Sequence, residues 1–179
     1  VFDMIRIRQF IEYLFLLFFY YLLSLLPVAT VSKITGYMCM VIFMSLSRKR
    51  KKRLKGQLRT YMNFTERESH QCAKLIYYHF GQNMAELAMI KTMLIKKNFS
   101  CPKLPNQDKK GNIYVAAHFS NWEVTGIPSY QSGQKTACVY RHINNPFIDR
   151  FVLKRRSKIF TGGCYEKFNV TAMDLAKLI

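Results

Sequence analysis

The sequence predicts an α/β fold behind an N-terminal transmembrane helix, and three observations lead to this prediction. Residues 13–32 are twenty consecutive uncharged positions rich in Leu, Phe and Tyr. Residues 113–117 form a short apolar run after a turn signal, which is typical of a buried strand, and residues 136–140 predict a second strand. Around these strands, stretches with helical spacing and capping residues predict helices. A chain of 179 residues is long enough for one domain.

The N-terminal apolar segments predict how the chain meets a membrane. Twenty helical residues cover roughly the 30 Å of a bilayer core, so residues 13–32 predict a span that Pro27 would kink or end early. Residues 34–47 are also uncharged but short for a span, and they predict an interfacial or packed segment. A signal peptide is the alternative. The length of the run, its bulky aromatic residues and the lack of a clean cleavage site argue against cleavage.

The charge of the chain predicts anionic partners. Lys and Arg total 28 against 10 acidic residues, a net charge of +18. Eight residues at 48–55 read RKRKKRLK, and such a cluster after a membrane segment belongs on the cytoplasmic side. Nucleic-acid binding is the rival interpretation, but no recognised nucleic-acid module accompanies the run. We therefore expect a membrane anchor and interfacial segment at 1–47, a cytoplasmic domain at 48–179, anionic membrane lipid as a partner, and no nucleic acid.

The cysteines predict neither a metal site nor a disulfide framework. They show no C-x-x-C pairing and no ligand-like spacing with the four histidines. Reduced thiols in a cytosolic setting are the default expectation, with no metal and no cofactor. The five cysteines are Cys39, Cys72, Cys101, Cys138 and Cys164.

The candidate catalytic pair is His118 and Glu123. His118 directly follows the strand predicted at 113–117, and chemistry in open α/β sheets lies at the C-terminal ends of strands. Glu123 would lie in the first turn of the next helix, whose dipole favours a carboxylate. It would hold His118 in one tautomer and leave the other ring nitrogen free to accept a proton. A capping box between Ser120 and Glu123, with no chemistry, explains the same spacing. The two interpretations are compatible, and spacing leaves both open.

Arg141 is a candidate substrate-binding residue. It directly follows the strand predicted at 136–140, so we expect it at the same sheet edge as His118. The planar fork of an arginine suits a substrate phosphate. A surface arginine on a very basic protein is the alternative, and the residues alone leave both open.

Local signals predict the remaining elements. Asn145 followed by Pro146 predicts a helix start, and this helix runs toward the cations at 154–156, where the helix dipole favours them. Those cations are candidates for contact with lipid phosphates or an acidic carrier. Residues 159–160 predict one more short strand, and a final helix begins near residue 169.

A long helix is also predicted from about residue 65, with Thr65 or Asn63 as its cap. Apolar and small residues recur along it at roughly helical spacing and predict its core face. They are Cys72, Leu75, Ile76, Phe80, Met84, Leu87 and Ile90.

Residues 118–123, which read HFSNWE, closely resemble the catalytic motif of the bacterial lipid A late acyltransferases. That family belongs to the glycerolipid acyltransferases with an H-x4-D/E signature. Residues 139–141 and 144–149 are similar to the next block of the family, and residues 83–86 resemble its N-x-x-E segment. The hydrophobic start ending at 26–27 also fits.

The resemblance implies a fold, a reaction and a set of roles. The fold would be a glycerolipid-acyltransferase-like mixed sheet flanked by helices. A fatty acyl chain would pass from acyl carrier protein to a hydroxyl of a lipid A precursor, at the cytoplasmic face of the bacterial inner membrane. His118 would be the general base and Glu123 would orient it. Arg141 would bind phosphate, while Asn121 and Trp122 would shape the pocket.

The sequence also departs from that family. The relatives continue into further strands that complete the site, and none follows residue 179 here, so the resemblance implies an apparently truncated domain. Two rival interpretations remain. One is an acyltransferase with a glycerol phosphate acceptor, against which the flanking blocks argue. The other is a non-catalytic, membrane-anchored remnant of such an enzyme.

Overall fold

The computed structural model describes residues 2–96, 113–115, 121–169 and 171, and in this part of the chain it is mostly helical. A single pair of strands, β1 and β2, forms the sheet within the described residues. The elements in chain order are α1 (Phe2–Ser24), α2 (Val28–Leu46), α3 (Arg48–Met62), α4 (Glu66–Ala88), α5 (Ile90–Lys96), a 3₁₀ helix (Trp122–Val124), α6 (Ile127–Gln131), β1 (Ala137–Tyr140), α7 (Pro146–Arg156) and β2 (Gly163–Glu166).

The described residues divide into two compact units. The first, called here the helical unit, covers residues 24–86. The second, called here the sheet unit, combines residues up to Leu23 with those from Leu87 onward. This division differs from the boundary expected at residue 47. That boundary concerned membrane topology rather than compactness, and it stays a prediction.

Pro27 divides the predicted span into two helices. Residues 13–32 were expected to form a span that Pro27 would kink or end early, and α1 does end at Ser24, with α2 beginning at Val28. Pro27 adopts φ −58° and ψ 142°, an extended conformation that ends one helix before the next begins. By length and composition, Met4–Ser24 and Val28–Leu46 are each able to cross a bilayer. The segment expected to be interfacial is therefore long enough to span.

The closest backbone approach between α4 and α2 in the helical unit is at a glycine of α4. A Cβ added to Gly81 would lie 2.4 Å from the carbonyl oxygen of Thr35. Ser69 and Ala73 are fully buried, whereas Leu75 is 57% exposed. The predicted core face of α4 was therefore wrong in its middle, because close backbone approach favours small side chains there.

Thr65, one of the two residues predicted as the cap, does cap α4. Its Oγ1 accepts a hydrogen bond from Glu68 N at 3.2 Å, and Glu68 Oε2 accepts one from Thr65 N at 2.8 Å. This reciprocal arrangement is a capping box. The other candidate, Asn63, instead ends α3 in the left-handed conformation at φ 54°. Local sequence signals therefore located this boundary correctly.

The sheet unit packs around Ile90, Ile127 and Ile159, all of which are buried. Ile159 was predicted to lie in a strand, together with Phe160, and this prediction was wrong. Both backbone N–H groups donate to the carbonyl of Arg156 at the end of α7, so they are used in a turn and cannot join a ladder. The strand begins four residues later, at Gly163.

β1 and β2 pair in parallel, with Ala137 opposite Gly163 and Tyr140 opposite Glu166. β1 confirms the strand predicted at 136–140 to within one residue. The predicted strand at 113–117 is described only at 113–115, where no strand forms and Val115 is 95% exposed. Within the described residues β1 pairs only with β2, so those three residues lack the ladder partner that a buried strand requires. The mixed sheet expected from the resemblance stays a prediction.

α1 packs along α7 within the sheet unit. Phe147 contacts both Phe10 and Tyr13, with ring centroids 5.4 Å and 5.9 Å apart. Farther along, Tyr20 meets Phe151 edge to face at 5.3 Å. The helix predicted to be an anchor therefore also packs against a helix of this unit, although most of its large apolar side chains remain exposed.

Asn145 joins the two helices and caps α7, as its sequence signal predicted. Its Oδ1 accepts hydrogen bonds from Phe147 N at 3.0 Å and Ile148 N at 3.3 Å. Its Nδ2 donates to Gln9 O at 2.8 Å and to Glu12 Oε2 at 3.0 Å. The residue is 6% exposed, so its side chain is largely shielded from solvent.

Replacing Asn145 with Ala should lower the free energy of unfolding by about 2 kcal/mol, because a helix cap and two tertiary hydrogen bonds are lost together. Thermal unfolding in detergent measures this. Asn144→Ala is the matched control, since Asn144 meets Gln9 through its backbone carbonyl. Equal losses in the two variants would contradict the assigned role of Asn145.

Candidate functional site

The motif segment places Glu123 in a short 3₁₀ helix rather than an α-helix. Asn121 caps it, with Oδ1 accepting from Glu123 N at 3.1 Å. The next helix, α6, begins separately at Ile127 with Pro128 in its first turn. The Glu123 side chain consequently faces the interior and is 6% exposed. His118 and Ser120 lie outside the described residues, so the catalytic pair and the capping-box alternative stay predictions.

Glu123 binds Arg156, the last residue of α7, through a two-point ion pair. Arg156 Nε donates to Oε2 at 2.8 Å, and Nη2 donates to Oε1 at 2.6 Å. Side-chain exposure is 6% for Glu123 and 16% for Arg156. Parallel N–H···O bonds between a guanidinium and a carboxylate are strong and directional. The motif carboxylate is therefore held in one orientation.

Arg156 stays positively charged in this environment. Burial lowers the pKa of its guanidinium, but the hydrogen bonds and charge of Glu123 outweigh this, and the net pKa is raised. The guanidinium group of Arg156 also lies over the Tyr140 ring, with its central carbon 5.6 Å from the ring centroid. Nη1 is buried and has no hydrogen-bond partner within the described part of the chain. The cation thus connects the motif to the sheet.

The carboxyl ends of β1 and β2 form one edge, because the strands are parallel. Arg141 directly follows β1 at this edge, as predicted, and it is exposed. Next to it, His142 Nδ1 pairs with a carboxylate oxygen of Glu166 at the end of β2. This second pair was not anticipated. It ties the loop that carries Arg141 to the neighbouring strand.

A model of the bacterial lipid A biosynthesis acyltransferase family matches residues 4–161. The chain belongs to this family. The match confirms the resemblance that rested on residues 118–123 and their flanking blocks, and it covers both α1 and the Glu123–Arg156 pair. Searches of curated proteins and of solved structures gave no match.

Arg156 is the residue of this candidate site that sequence reasoning missed. Residues 154–156 were interpreted together as cations for lipid phosphates or a carrier. Instead, Arg155 stacks on Phe151, with its guanidinium carbon 3.1 Å from the ring centroid, and Arg156 binds Glu123. Lys154 is the exposed one of the three. The signal in the sequence that could have indicated this partner was the carboxylate of Glu123, because a buried carboxylate requires a cationic partner.

The N-x-x-E segment of the family lies in the helical unit. Asn83 is 7% exposed, and Glu86 Oε1 accepts a hydrogen bond from Ser32 Oγ at 3.1 Å. Ser32 belongs to α2 and is 5% exposed. The glutamate thus connects α4 to α2 inside one compact unit.

The described ranges contain no group of three His, Cys, Asp or Glu side chains arranged to hold a metal ion. The polar side chains of the candidate site in this part of the chain are those of an ion pair, a capping asparagine and exposed basic residues.

Proposed function

We propose that this protein transfers a fatty acyl chain from the thioester of acyl carrier protein to a hydroxyl of a lipid A precursor. The proposal rests on membership of the lipid A biosynthesis acyltransferase family together with the spacing of His118 and Glu123. No cofactor is required, because the thioester is already activated.

His118 acts as the general base in this reaction. One ring nitrogen accepts the proton of the acceptor hydroxyl while that oxygen attacks the thioester carbonyl carbon. The tetrahedral intermediate collapses as the C–S bond breaks, and the departing thiolate takes the proton from the imidazolium. An ester and a free carrier thiol result. The substrate oxygen is the nucleophile, so no acyl-enzyme forms.

Glu123 orients His118 and stabilises its imidazolium form. Two carboxylate oxygens provide about four acceptor positions, and Arg156 occupies two of them. Capacity therefore remains for an N–H of His118. Arg156 acts through Glu123 by holding its carboxylate in a fixed orientation.

Arg141 binds a phosphate of the acceptor, and Asn121 and Trp122 shape the pocket. Arg141 is exposed directly after β1, where a charged headgroup has access to it. Asn121 and Trp122 immediately precede Glu123, and Asn121 also caps the 3₁₀ helix that carries it. Both are therefore close enough to the motif to limit how a substrate approaches.

α1 and α2 anchor the enzyme in the bacterial inner membrane, with the site on the cytoplasmic side. Both helices are long and apolar enough to cross a bilayer. The basic residues of α3 follow immediately, and by the positive-inside rule they remain in the cytoplasm, where they attract anionic lipid and the acidic carrier. Since α1 packs on α7, a membrane-bound α1 keeps Arg156 and Glu123 near the lipid substrate.

Acyl transfer by membranes containing the full chain tests this proposal. Labelled acyl carrier protein is supplied with a lipid A precursor, or with glycerol phosphate as the competing acceptor. We expect label in the lipid A precursor. Label only in glycerol phosphate would support the rival acyltransferase. Absence of label from both acceptors, together with salt-sensitive binding of carrier or anionic lipid, would support the non-catalytic remnant.

Arg141→Ala should raise KM for the phosphorylated acceptor about 10- to 100-fold, because a hydrogen bond to a charged group contributes about 1.5–3 kcal/mol. The same variant should change KM little for an acceptor without phosphate. Arg150→Ala on α7, also exposed, is the control and should change neither value. An equal rise in KM for both acceptors would show that Arg141 does not act by binding the phosphate.

A further inference from the structure

Cys138 and Cys164 face each other across the sheet. They are register partners in the parallel pair β1–β2, and their Sγ atoms lie 3.5 Å apart. Neighbouring strands are about 4.7–4.9 Å apart, within the range of about 4.4–6.8 Å that disulfides span between Cα atoms. The spacing of the two strands and the distance between the sulfurs are therefore compatible with a bond between these thiols.

This thiol pair lies on the side of the sheet that faces Arg156. Side chains two residues apart on a strand share a face, and Tyr140, two residues after Cys138, lies under the Arg156 guanidinium. The hydrogen bond from Cys138, together with the charge of Arg156, outweighs the opposing effects of burial and of Glu123 and lowers the pKa of the Cys164 thiol to about 7. The pKa of Cys138 is raised by the same hydrogen bond and by burial.

The roles of the two thiols follow from this asymmetry. A thiolate is the attacking species in disulfide exchange, so Cys164 attacks and Cys138 resolves. Both side chains are partly exposed, which admits a small reagent. Neither thiol has a role in the proposed acyl transfer.

We propose that Cys138 and Cys164 are a site of reversible disulfide formation by exchange with a low-molecular-weight disulfide, and that the bond alters the Glu123–Arg156 site. The first part stands on the sheet geometry alone. The second part rests on the proposed acyltransferase function.

The disulfide forms in two successive exchange steps. The Cys164 thiolate attacks one sulfur of the small disulfide, forming a mixed disulfide and releasing one small thiolate. Cys138 then loses its proton and attacks Cys164 Sγ, which forms the protein disulfide and releases the second small thiolate. Two protein thiols are oxidised and one small disulfide is reduced. The two protons end on the two small thiols.

Oxidation changes the surroundings of Arg156. The sulfurs approach from 3.5 Å to a bond length of about 2.05 Å, and the Cys164 thiolate that the guanidinium stabilises is lost. Because Glu123 is held by Arg156, we expect acyl transfer to fall several-fold on oxidation and to return on reduction.

Mapping the disulfide tests the first part without any activity measurement. The full chain in detergent is incubated with oxidised glutathione, alkylated and digested. We expect a peptide linked through Cys138 and Cys164, and Cys138→Ser should instead trap glutathione on Cys164. Cys72→Ser, in α4, is the matched control and should leave the linked peptide unchanged. Absence of the link, or equal linkage to other cysteines, would overturn the proposal.

The pH dependence of alkylation provides a second readout. A lowered pKa means that thiolate is present at lower pH, so Cys164 should reach half its maximal alkylation rate near pH 7. In Cys138→Ala, which has no side-chain donor at this position, this midpoint should rise toward about 8.5, the value of an ordinary thiol. An unchanged midpoint would overturn the role assigned to Cys138.

Acyl transfer before and after oxidation tests the second part. The parent should lose transfer and regain it with a reductant, whereas Cys138→Ser/Cys164→Ser should not respond. Transfer that is insensitive to a confirmed disulfide would overturn the effect on the site. If the reduced parent shows no transfer, the proposed function fails, while the peptide map still decides whether the disulfide forms.

Discussion

Replacing His118 with Ala should lower acyl transfer by about 10²–10⁴-fold, because general base catalysis typically contributes that much. The variant keeps α1, α2 and the basic helix α3, so its association with membranes should not change. Transfer from labelled acyl carrier protein to a lipid A precursor measures the first effect. Flotation with anionic vesicles measures the second.

His79→Ala is the matched control for this experiment. Its Nδ1 contacts Gln82 Oε1 at 2.8 Å on the exposed side of α4, in the helical unit. A histidine lost there should leave transfer at the parental rate. If both variants transferred acyl chains at the parental rate, His118 would have no catalytic role. The role proposed for Glu123, which is to orient His118, would then also be wrong.

Replacing Arg156 with Met should lower the free energy of unfolding by about 3–5 kcal/mol, because it leaves the carboxylate of Glu123 buried without its partner. Trp122 is the only tryptophan in the chain and is adjacent to Glu123, so its fluorescence follows unfolding in detergent. Arg150→Met, on the same helix but exposed, should cost less than about 0.5 kcal/mol.

The double variant Glu123→Leu/Arg156→Met separates the ion pair from general packing. Removing both charges leaves no buried unpaired group, so the double variant should be more stable than Arg156→Met alone. A double variant as unstable as the sum of both single variants would show that the two side chains act independently. Both variants should lose acyl transfer, since Glu123 is absent or no longer oriented.

Local signals in the sequence were sufficient where neighbouring residues decide the structure. Asn145 and Pro146 start α7 as predicted, and Thr65 caps α4, because a cap bonds backbone groups only two or three residues away. β1 also lies where its apolar run predicted it. The family was recognisable from residues 118–123 together with their flanking blocks, and it is confirmed by the family match.

Other predictions failed where backbone contacts that the apolar pattern does not encode decide the structure. The middle of the predicted stripe on α4 was wrong because Gly81 meets the backbone of α2, a contact that no helical period encodes. The strand predicted at 159–160 was wrong because the carbonyl of Arg156 already accepts from those N–H groups. Residues 113–115 are apolar but have no ladder partner among the described residues.

The sequence by itself determined the family, the motif, the caps and the apolar helices, because each depends on residues close together in the chain. Only the tertiary structure decided which charges and thiols meet. Glu123 and Arg156 are separated by 33 positions, and Cys138 and Cys164 by 26. Parallel strand register and the direction of α7 bring them together, and both depend on packing of the whole sheet unit rather than on local spacing.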